Sequence, residues 1–191
     1  MTTQRTPSVI HKTKKKKKPS FVVAEWVSIF LFAILAAFLL RTYVVEAYYI
    51  PSGSMEPTLM VGDRILVNKL AFDFSKVHRG EIVVFRKTPG DLGGPKIKDL
   101  VKRVIGLPGE TISSSNGKVM INGKPLKEPW LPKGVLTRGI RTQKIPPHQY
   151  FLLGDNRSNS LDSRFFGPVP KSYFIGQAFV IFWPINRIGF I

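Results

Sequence analysis

Residues 21–41, FVVAEWVSIFLFAILAAFLLR, divide the chain into two parts of different character. The twenty residues before Arg41 are apolar except for Glu25 and Ser28. At a rise of about 1.5 Å per residue, a helix of that length crosses the ~30 Å hydrocarbon core of a bilayer. We therefore predict one transmembrane helix over residues 21–41, followed by a separate domain over residues 42–191.

The residues before this segment predict its orientation. Residues 1–20 form a basic tail that contains Arg5, Lys12 and Lys14 to Lys18 and no acidic residue. Basic flanks stay on the cytoplasmic side of a membrane and attract anionic lipid headgroups. We therefore expect the tail in the cytoplasm, in contact with membrane lipids, and residues 42–191 on the outer side.

A cleavable signal peptide is the alternative interpretation of the same segment. It would combine the basic tail, the apolar stretch and a small-residue cleavage site at Val45-Glu46-Ala47. The apolar stretch is longer than the usual core of a signal peptide, which favours an uncleaved anchor. A mature chain that starts at Tyr48 would support the alternative.

Residues 42–191 consist of short apolar runs with period-two character, separated by Gly, Pro and Asn. This pattern predicts β-strands, and no long amphipathic helical pattern follows the anchor. The candidate strands are Val44–Ile50, Arg64–Leu70, Glu81–Arg86, Leu100–Gly106, Lys118–Asn122, Tyr150–Leu153 and Gln177–Trp183. We therefore predict a mainly β fold.

Two segments rich in Gly, Pro and Lys, residues 88–98 and 123–147, do not fit the strand pattern. We expect them to form variable surface loops or a small second lobe. Asn116-Gly117 and Asn122-Gly123 bracket Lys118–Ile121, and Asn-Gly pairs are typical of two-residue turns between antiparallel strands. A short strand between two tight turns is therefore predicted here.

Composition excludes several classes of function. The chain has no Cys, which removes disulfides, thiolate zinc sites and a cysteine nucleophile. Its net charge of +17 raises the alternative of a nucleic-acid-binding protein. However, the densest basic run adjoins the membrane segment, and no helix-turn-helix, zinc-finger or aromatic–basic RNA motif is visible. We predict no nucleic-acid partner.

The first candidate segment for catalysis is residues 51–59, PSGSMEPTL, shortly after the anchor. Taken alone, its Ser, Gly and Pro favour an ordinary turn. A serine between Gly and an apolar residue is also how a tight turn presents a nucleophile, with backbone N–H groups free to bind an oxyanion. Ser54 is therefore a candidate nucleophile.

The second segment is residues 99–106, DLVKRVIG. In an extended strand, Lys102 shares a face with Leu100 and Val104. Burial among apolar side chains lowers the pKa of a lysine, whereas Arg103 keeps its charge because its pKa stays above about 12. Either cation also fits an edge position with only its stem covered. If one of the two is a base, it is Lys102.

The third segment is residues 154–164, GDNRSNSLDSR. A polar loop of Asx turns is the simplest interpretation. However, these eleven residues include two Asp, two Arg, two Asn and three Ser, which is a high density of polar side chains for a loop. Such a composition suits a hydrogen-bonded platform that orients another group.

A Ser-His-Asp triad is the competing arrangement. His11 lies in the basic tail, which leaves His78 and His148. Neither has a carboxylate beside it in sequence, although a partner from elsewhere in the chain stays an alternative.

The anchor and the three segments, in this order, resemble the type I signal peptidases, the bacterial leader peptidase family. The similarity runs from Phe21 to the C-terminus. It is carried by PSGSM and PTL within residues 51–59, by KRVIGLPG at residues 102–109, and by GDNR, NS and DSR within residues 154–164. The resemblance implies a signal-peptidase-type β-sheet catalytic domain with a small second lobe.

The resemblance also implies roles for individual residues. It makes Ser54 the nucleophile and Lys102 the general base. Ser52 matches a hydroxyl that joins the Ser54 N–H in the oxyanion hole, and Ser160 matches a serine that hydrogen-bonds and orients the lysine. The remaining matches are a supporting ion pair (Asp162 and Arg164), a structural acid (Asp155), and the lining of shallow apolar pockets (Tyr48, Ile50 and Val101).

The activity implied is that of a membrane-bound serine endopeptidase that needs no metal or organic cofactor. It would remove signal peptides from exported preproteins after small residues at −1 and −3, Ala-x-Ala, through an acyl-enzyme. The implied location is the cell membrane, or the thylakoid membrane in a cyanobacterial source. A self-cleaving Ser-Lys regulator and a membrane-tethered β-domain adaptor are the alternatives, and cleavage of a preprotein in trans distinguishes all three.

Overall fold

The computed structural model describes residues 19–87 and 98–191, which fall into two units with a boundary between Leu39 and Leu40. The predicted tail lies mostly outside the described residues. So does the segment 88–98, apart from Lys98.

Helix α1, Pro19–Tyr43, extends two residues beyond the predicted span at each end. Pro19 suits the first turn of a helix because its missing N–H would have no partner there. Among the described helices, only Val23–Tyr43 is long and apolar enough to cross a membrane, with a mean hydropathy of 2.4. Trp26 and Phe32 are 68% and 73% exposed, so the helix presents apolar surface as a helix in lipid does. The predicted apolar helix is confirmed.

The second unit contains two antiparallel sheets. The strands are β1 Val45–Tyr49, β2 Arg64–Asn68, β3 Ile82–Arg86, β4 Asp99–Gly106, β5 Thr111–Ser115, β6 Lys118–Ile121, β7 Lys124–Pro125, β8 Gln143–Lys144, β9 Gln149–Leu153, β10 Val169–Pro170, β11 Phe174–Trp183 and β12 Gly189–Phe190; two single-turn helices are α2 Ala71–Phe74 and α3 Ser163–Phe166. The large sheet has the order β1-β2-β11-β3-β4-β9-β10, with β12 beside β11, and the small sheet has the order β7-β6-β5-β8. The predicted mainly β fold with a small second lobe is confirmed.

The seven predicted strands all occur, with bounds that differ by three residues at most. The sequence pattern misses β5, because its residues TISSS include three serines and offer little alternation of apolar and polar side chains. Strands β7 and β8 are only two residues long, which is too short for any periodicity.

The small sheet and its connections form the second lobe, which we define as residues 107–148. Its two predicted turns have the left-handed backbone that an Asn-Gly turn requires. The φ angles are 50° and 74° at Asn116 and Gly117, and 50° and 78° at Asn122 and Gly123. These turns join β5 to β6 and β6 to β7.

The hydrophobic core holds β4, the strand with the candidate lysine, from both faces. Its neighbour β3 is buried at four successive positions, with Ile82 and Val84 in one apolar cluster and Val83 and Phe85 in another. A third cluster joins the end of β4 at Ile105 to the second lobe. The lobe is therefore fixed to the large sheet by continuous apolar packing.

Candidate active site

The candidate nucleophile lies on a tight turn directly after β1. Gly53–Met55 form one 3-10 turn, and Ser52 before it is extended, with φ −139° and ψ 152°. Met55 and Leu59 are 1% and 0% exposed, so the turn is anchored in the core. Ser54, immediately before Met55, stays partly exposed.

The structure brings Lys102 to this turn. Lys102 lies in the middle of β4, pairs with Val83 of β3 and is only 3% exposed. Its Nζ lies 2.8 Å from Ser54 Oγ and donates to the Val101 carbonyl oxygen at 2.9 Å. An amine and a hydroxyl at this distance can exchange a proton, provided that the amine is neutral.

The neighbouring Arg103 has a different environment. It donates to both carboxylate oxygens of Asp155, from Nε at 2.9 Å and from Nη2 at 2.6 Å. The Trp130 ring covers its guanidinium at 5.1 Å, and Nη1 donates to the Gly80 carbonyl at 2.6 Å. Arg103 is thus a buried structural cation, and Asp155 is its counter-ion, a partner that sequence reasoning missed.

Residues 154–164 form the hydrogen-bonded platform that their composition predicts. Asp162 is fully buried and binds Arg164 through two contacts of 2.8 Å. It also accepts from the backbone N–H of Gly154 at 3.1 Å. Arg164 in turn donates to the Arg157 carbonyl at 2.7 Å. The ion pair implied by the resemblance is therefore formed.

This platform contacts the nucleophile turn through the backbone. The N–H of Asn156 donates to the Ser54 carbonyl at 3.1 Å, and its side-chain amide donates to the Gly53 carbonyl at 3.0 Å. A Cβ on Gly154 would lie 2.5 Å from the Cβ of Ser160 and closer still to the Ser54 carbonyl oxygen. Glycine is therefore required at 154, and sequence reasoning missed both Gly154 and Asn156.

Ser160 differs from the expectation. The hydrogen bond to Lys102 that the resemblance implies is not formed, because the buried Ser160 Oγ has no hydrogen-bond partner among the described residues. The Ser160 side chain instead packs over the Cα of Gly154, where the missing Cβ leaves room. Ser160 is next to the nucleophile turn without bonding the lysine.

A cavity of about 420 Å³ opens beside the Ser54–Lys102 pair. Its lining includes all three residues expected in apolar pockets, Tyr48, Ile50 and Val101, together with Ser52 and Asp99. Burial, Glu46 and Asp99 raise the pKa of Tyr48 to about 12. Burial, followed by Glu46, raises the pKa of Asp99. The lining of the cavity thus contains one carboxyl group, that of Asp99, beside the amine of Lys98.

The two histidines outside the tail have other surroundings. His78 is exposed, with Nδ1 3.3 Å from Glu81 Oε1. His148 is exposed in a turn with φ 60°. No hydrogen bond joins either ring to Ser54 in the part of the chain that the structure describes.

Known proteins share this sequence over most of its length. Residues 23–183 match the family described as "Signal peptidase, peptidase S26". "Signal peptidase I" of Leptolyngbya laminosa is 45% identical over 82% of this chain and 78% of its own. "Probable signal peptidase I-2" of Synechocystis sp. is 41% identical over 97% of this chain and 86% of its own. A solved signal peptidase I of Enterococcus faecalis is 31% identical, with a TM-score of 0.43, over 54% of this chain and 97% of its own.

The domain is mainly β and holds a serine beside a buried lysine, and its relatives are signal peptidases. The chain is therefore a hydrolase of the serine peptidase class, and it belongs to the signal peptidase family, peptidase S26. The resemblance and the enzyme class predicted from the sequence are confirmed.

Proposed function

We propose that the chain is a membrane-bound serine endopeptidase that removes signal peptides from exported preproteins through a Ser54–Lys102 dyad. The 2.8 Å separation of Lys102 Nζ from Ser54 Oγ carries this proposal. The names of the relatives supply the substrate class, because both are signal peptidases.

Lys102 acts as the general base. Its 3% exposure removes water from the amine, and loss of hydration disfavours the charged form of a lysine. The neutral amine takes the Ser54 proton as Oγ attacks the scissile carbonyl carbon. The resulting ammonium then gives the proton to the departing amine, and in the second half-reaction Lys102 deprotonates the water that hydrolyses the acyl-enzyme.

The oxyanion is stabilised by the nucleophile turn. The Ser54 N–H lies at the start of the 3-10 turn, and the Ser52 side chain does not cap that turn. The Ser52 hydroxyl, whose residue lines the same cavity as Ser54, serves as the second donor, as the family resemblance implies. Loss of one such donor typically costs a factor of about 10²–10³ in kcat.

The substrate lies as an extended strand in the cavity beside the dyad. Strand β1 pairs with β2 on one side, and the Asp99–Lys102 part of β4 pairs with β3, while β9 pairs only from Arg103 onward. Among residues 19–87 and 98–191, both strands therefore offer a free edge of backbone groups that a peptide can pair with. Successive side chains of an extended peptide point to opposite faces, so the residues at −1 and −3 lie on the same face. On that face the small residues at −1 and −3 meet Tyr48, Ile50 and Val101.

Helix α1 anchors the enzyme. Residues 1–20 form the cytoplasmic tail on anionic lipids, residues 21–41 the membrane span, and residues 42–191 the catalytic domain on the outer face of the cell or thylakoid membrane. Cleavage after Ala47 would divide β1, whose residues Val45–Tyr49 all pair with β2. We therefore expect N-terminal sequencing of the purified protein to recover the residues before α1, and a start at Tyr48 would contradict the anchor.

The test of the dyad is cleavage of an Ala-x-Ala preprotein in trans by purified protein in detergent. Ser54→Ala and Lys102→Ala should each abolish cleavage, because they remove the nucleophile and the base. His78→Ala and His148→Ala are the matched controls and should retain it. A folded histidine variant without activity, or an active Ser54→Ala protein, would refute the dyad.

A further inference from the structure

The surface of the second lobe is strongly basic. All seven of its basic side chains are exposed: Lys118, Lys124, Lys127, Lys133, Arg138, Arg141 and Lys144. Its two acidic residues are Glu110 and Glu128, which form ion pairs with Arg79 and Arg157 outside the lobe. The lobe therefore has no carboxylate left to neutralise its exposed cations.

Two adjoining cavities connect the nucleophile turn to this surface. The first, of about 530 Å³, is lined by Glu56 and Pro57, which follow Ser54, and by Pro132 and Val135 of the lobe. The second, of about 720 Å³, shares Pro132 and Val135 with the first, and its lining also includes Lys118, Lys127 and Lys133. A chain that follows both cavities away from the turn reaches three lysines.

The first of these cavities is distinct from the cavity beside the dyad, since the two share no lining residue. Ser52, Ser54 and Met55 line the cavity beside the dyad, whereas residues 56–57 line the other. The nucleophile turn thus separates two binding regions. If the signal peptide occupies the dyad side, the opposite side is left for the chain beyond the cleaved bond.

We propose that the second lobe binds the substrate segment that follows the cleaved bond and that its exposed lysines select acidic side chains there. This inference rests on the proposed function, because it takes Ser54 as the nucleophile. The backbone N–H of Glu56 donates to the Gly53 carbonyl at 3.2 Å, but its side-chain carboxylate makes no hydrogen bond or ion pair with any described residue. Its carboxylate disfavours an acidic residue next to the cleaved bond, so the preference applies to positions farther along the substrate.

The size of the effect follows from surface electrostatics. One exposed lysine–carboxylate pair contributes little, but several cations around one channel raise the rate of encounter by about tenfold or more. Salt removes such an effect, because the Debye length falls from ~10 Å at 0.1 M to ~3 Å at 1 M. A preference due to the shape of the cavities would not depend on salt in this way.

The experiment compares two preproteins with the same signal peptide, carrying four Asp or four Asn within positions 4 to 9 after the cleavage site. The full-length protein in neutral detergent should cleave the Asp substrate with a kcat/KM about tenfold higher at ~0.05 M salt and about equal at ~1 M salt. The variant K127E/K133E should reverse the preference. The matched control R64E/K76E changes two exposed basic residues outside the lobe and should keep it.

Three outcomes would overturn the inference. One is a ratio near one in the unaltered protein at low salt. Another is an unchanged ratio in K127E/K133E with unchanged binding to phosphatidylglycerol vesicles. The third is an unchanged ratio in K127E/K133E with lost binding to these vesicles, which would assign the basic surface to lipid. Each leaves the proposed function intact as long as Ser54→Ala is inactive, whereas an active Ser54→Ala protein refutes the proposed function itself.

Discussion

Replacement of Gly154 by alanine should disrupt the candidate active site through a single methyl group. An added Cβ would lie 2.5 Å from the Cβ of Ser160 and closer still to the Ser54 carbonyl oxygen, whereas ordinary contact begins at 3.4 Å. The backbone of the nucleophile turn must therefore move by about 1 Å. A displacement of that size at a reacting group costs about 10²-fold in rate, or roughly 2.7 kcal/mol of transition-state stabilisation.

The assay is kcat/KM on an Ala-x-Ala preprotein, together with the free energy of unfolding in urea. Overpacking of this kind costs about 1–3 kcal/mol of stability, so the folded fraction must be measured with the rate. Gly189→Ala is the matched control, since nothing lies within 4 Å of a Cβ at that position. It should leave both quantities nearly unchanged.

A double variant identifies which contact matters. Ser160→Gly removes the side chain that a Cβ at 154 would meet, but it leaves the Ser54 carbonyl in place. We expect Gly154→Ala/Ser160→Gly to remain about as impaired as Gly154→Ala, because the backbone contact persists. Full recovery in the double variant, or normal activity in folded Gly154→Ala, would refute the reasoning.

Three further predictions concern charge and protonation. A general base must be neutral before it takes the Ser54 proton, so the acid limb of kcat/KM against pH should have its midpoint below the free lysine value of about 10.4; a limb at 10.4 would contradict the general-base role of Lys102. Asp162→Asn leaves the Arg164 charge without its counter-ion and should cost about 3–5 kcal/mol in urea unfolding, while Glu46→Gln, whose 3.4 Å ion pair with Lys69 is solvent-exposed, should cost less than about 1 kcal/mol. Tyr48 has a pKa raised from 10.0 to about 12, so the stability it contributes is complete below pH 10 and declines as the pH rises toward 12. The difference in unfolding free energy between the protein and Tyr48→Phe should therefore shrink over that interval, and a constant difference would contradict the shift.

Features that depend only on neighbouring residues could be predicted from the sequence. The apolar run predicts α1 because length and hydropathy alone determine whether a helix can cross a bilayer. Asn116-Gly117 predicts its turn because the left-handed backbone depends on those two residues themselves. Lys102 was distinguishable from Arg103 because only a lysine can lose its charge on burial.

Features that depend on distant residues could not be predicted in the same way. The Arg103–Asp155 pair joins residues 52 positions apart, and nothing near either residue indicates the partner. The requirement for glycine at 154 arises from a carbonyl a hundred residues earlier, so only the folded chain reveals it. The resemblance predicts that Ser160 lies near the dyad and forms a hydrogen bond with Lys102. Its position is correct, but the hydrogen bond is not formed, because the packing of the side chain determines which groups the hydroxyl can reach.

The hydrogen bond from the Asn156 N–H to the Ser54 carbonyl affects the activity of the chain before it is fully folded. The groups that it joins are separated by most of the domain, and contacts of such long range form late in folding. A nascent chain therefore carries both Ser54 and Lys102 well before it carries a competent peptidase. Recovery of activity on refolding should therefore follow the slowest folding phase.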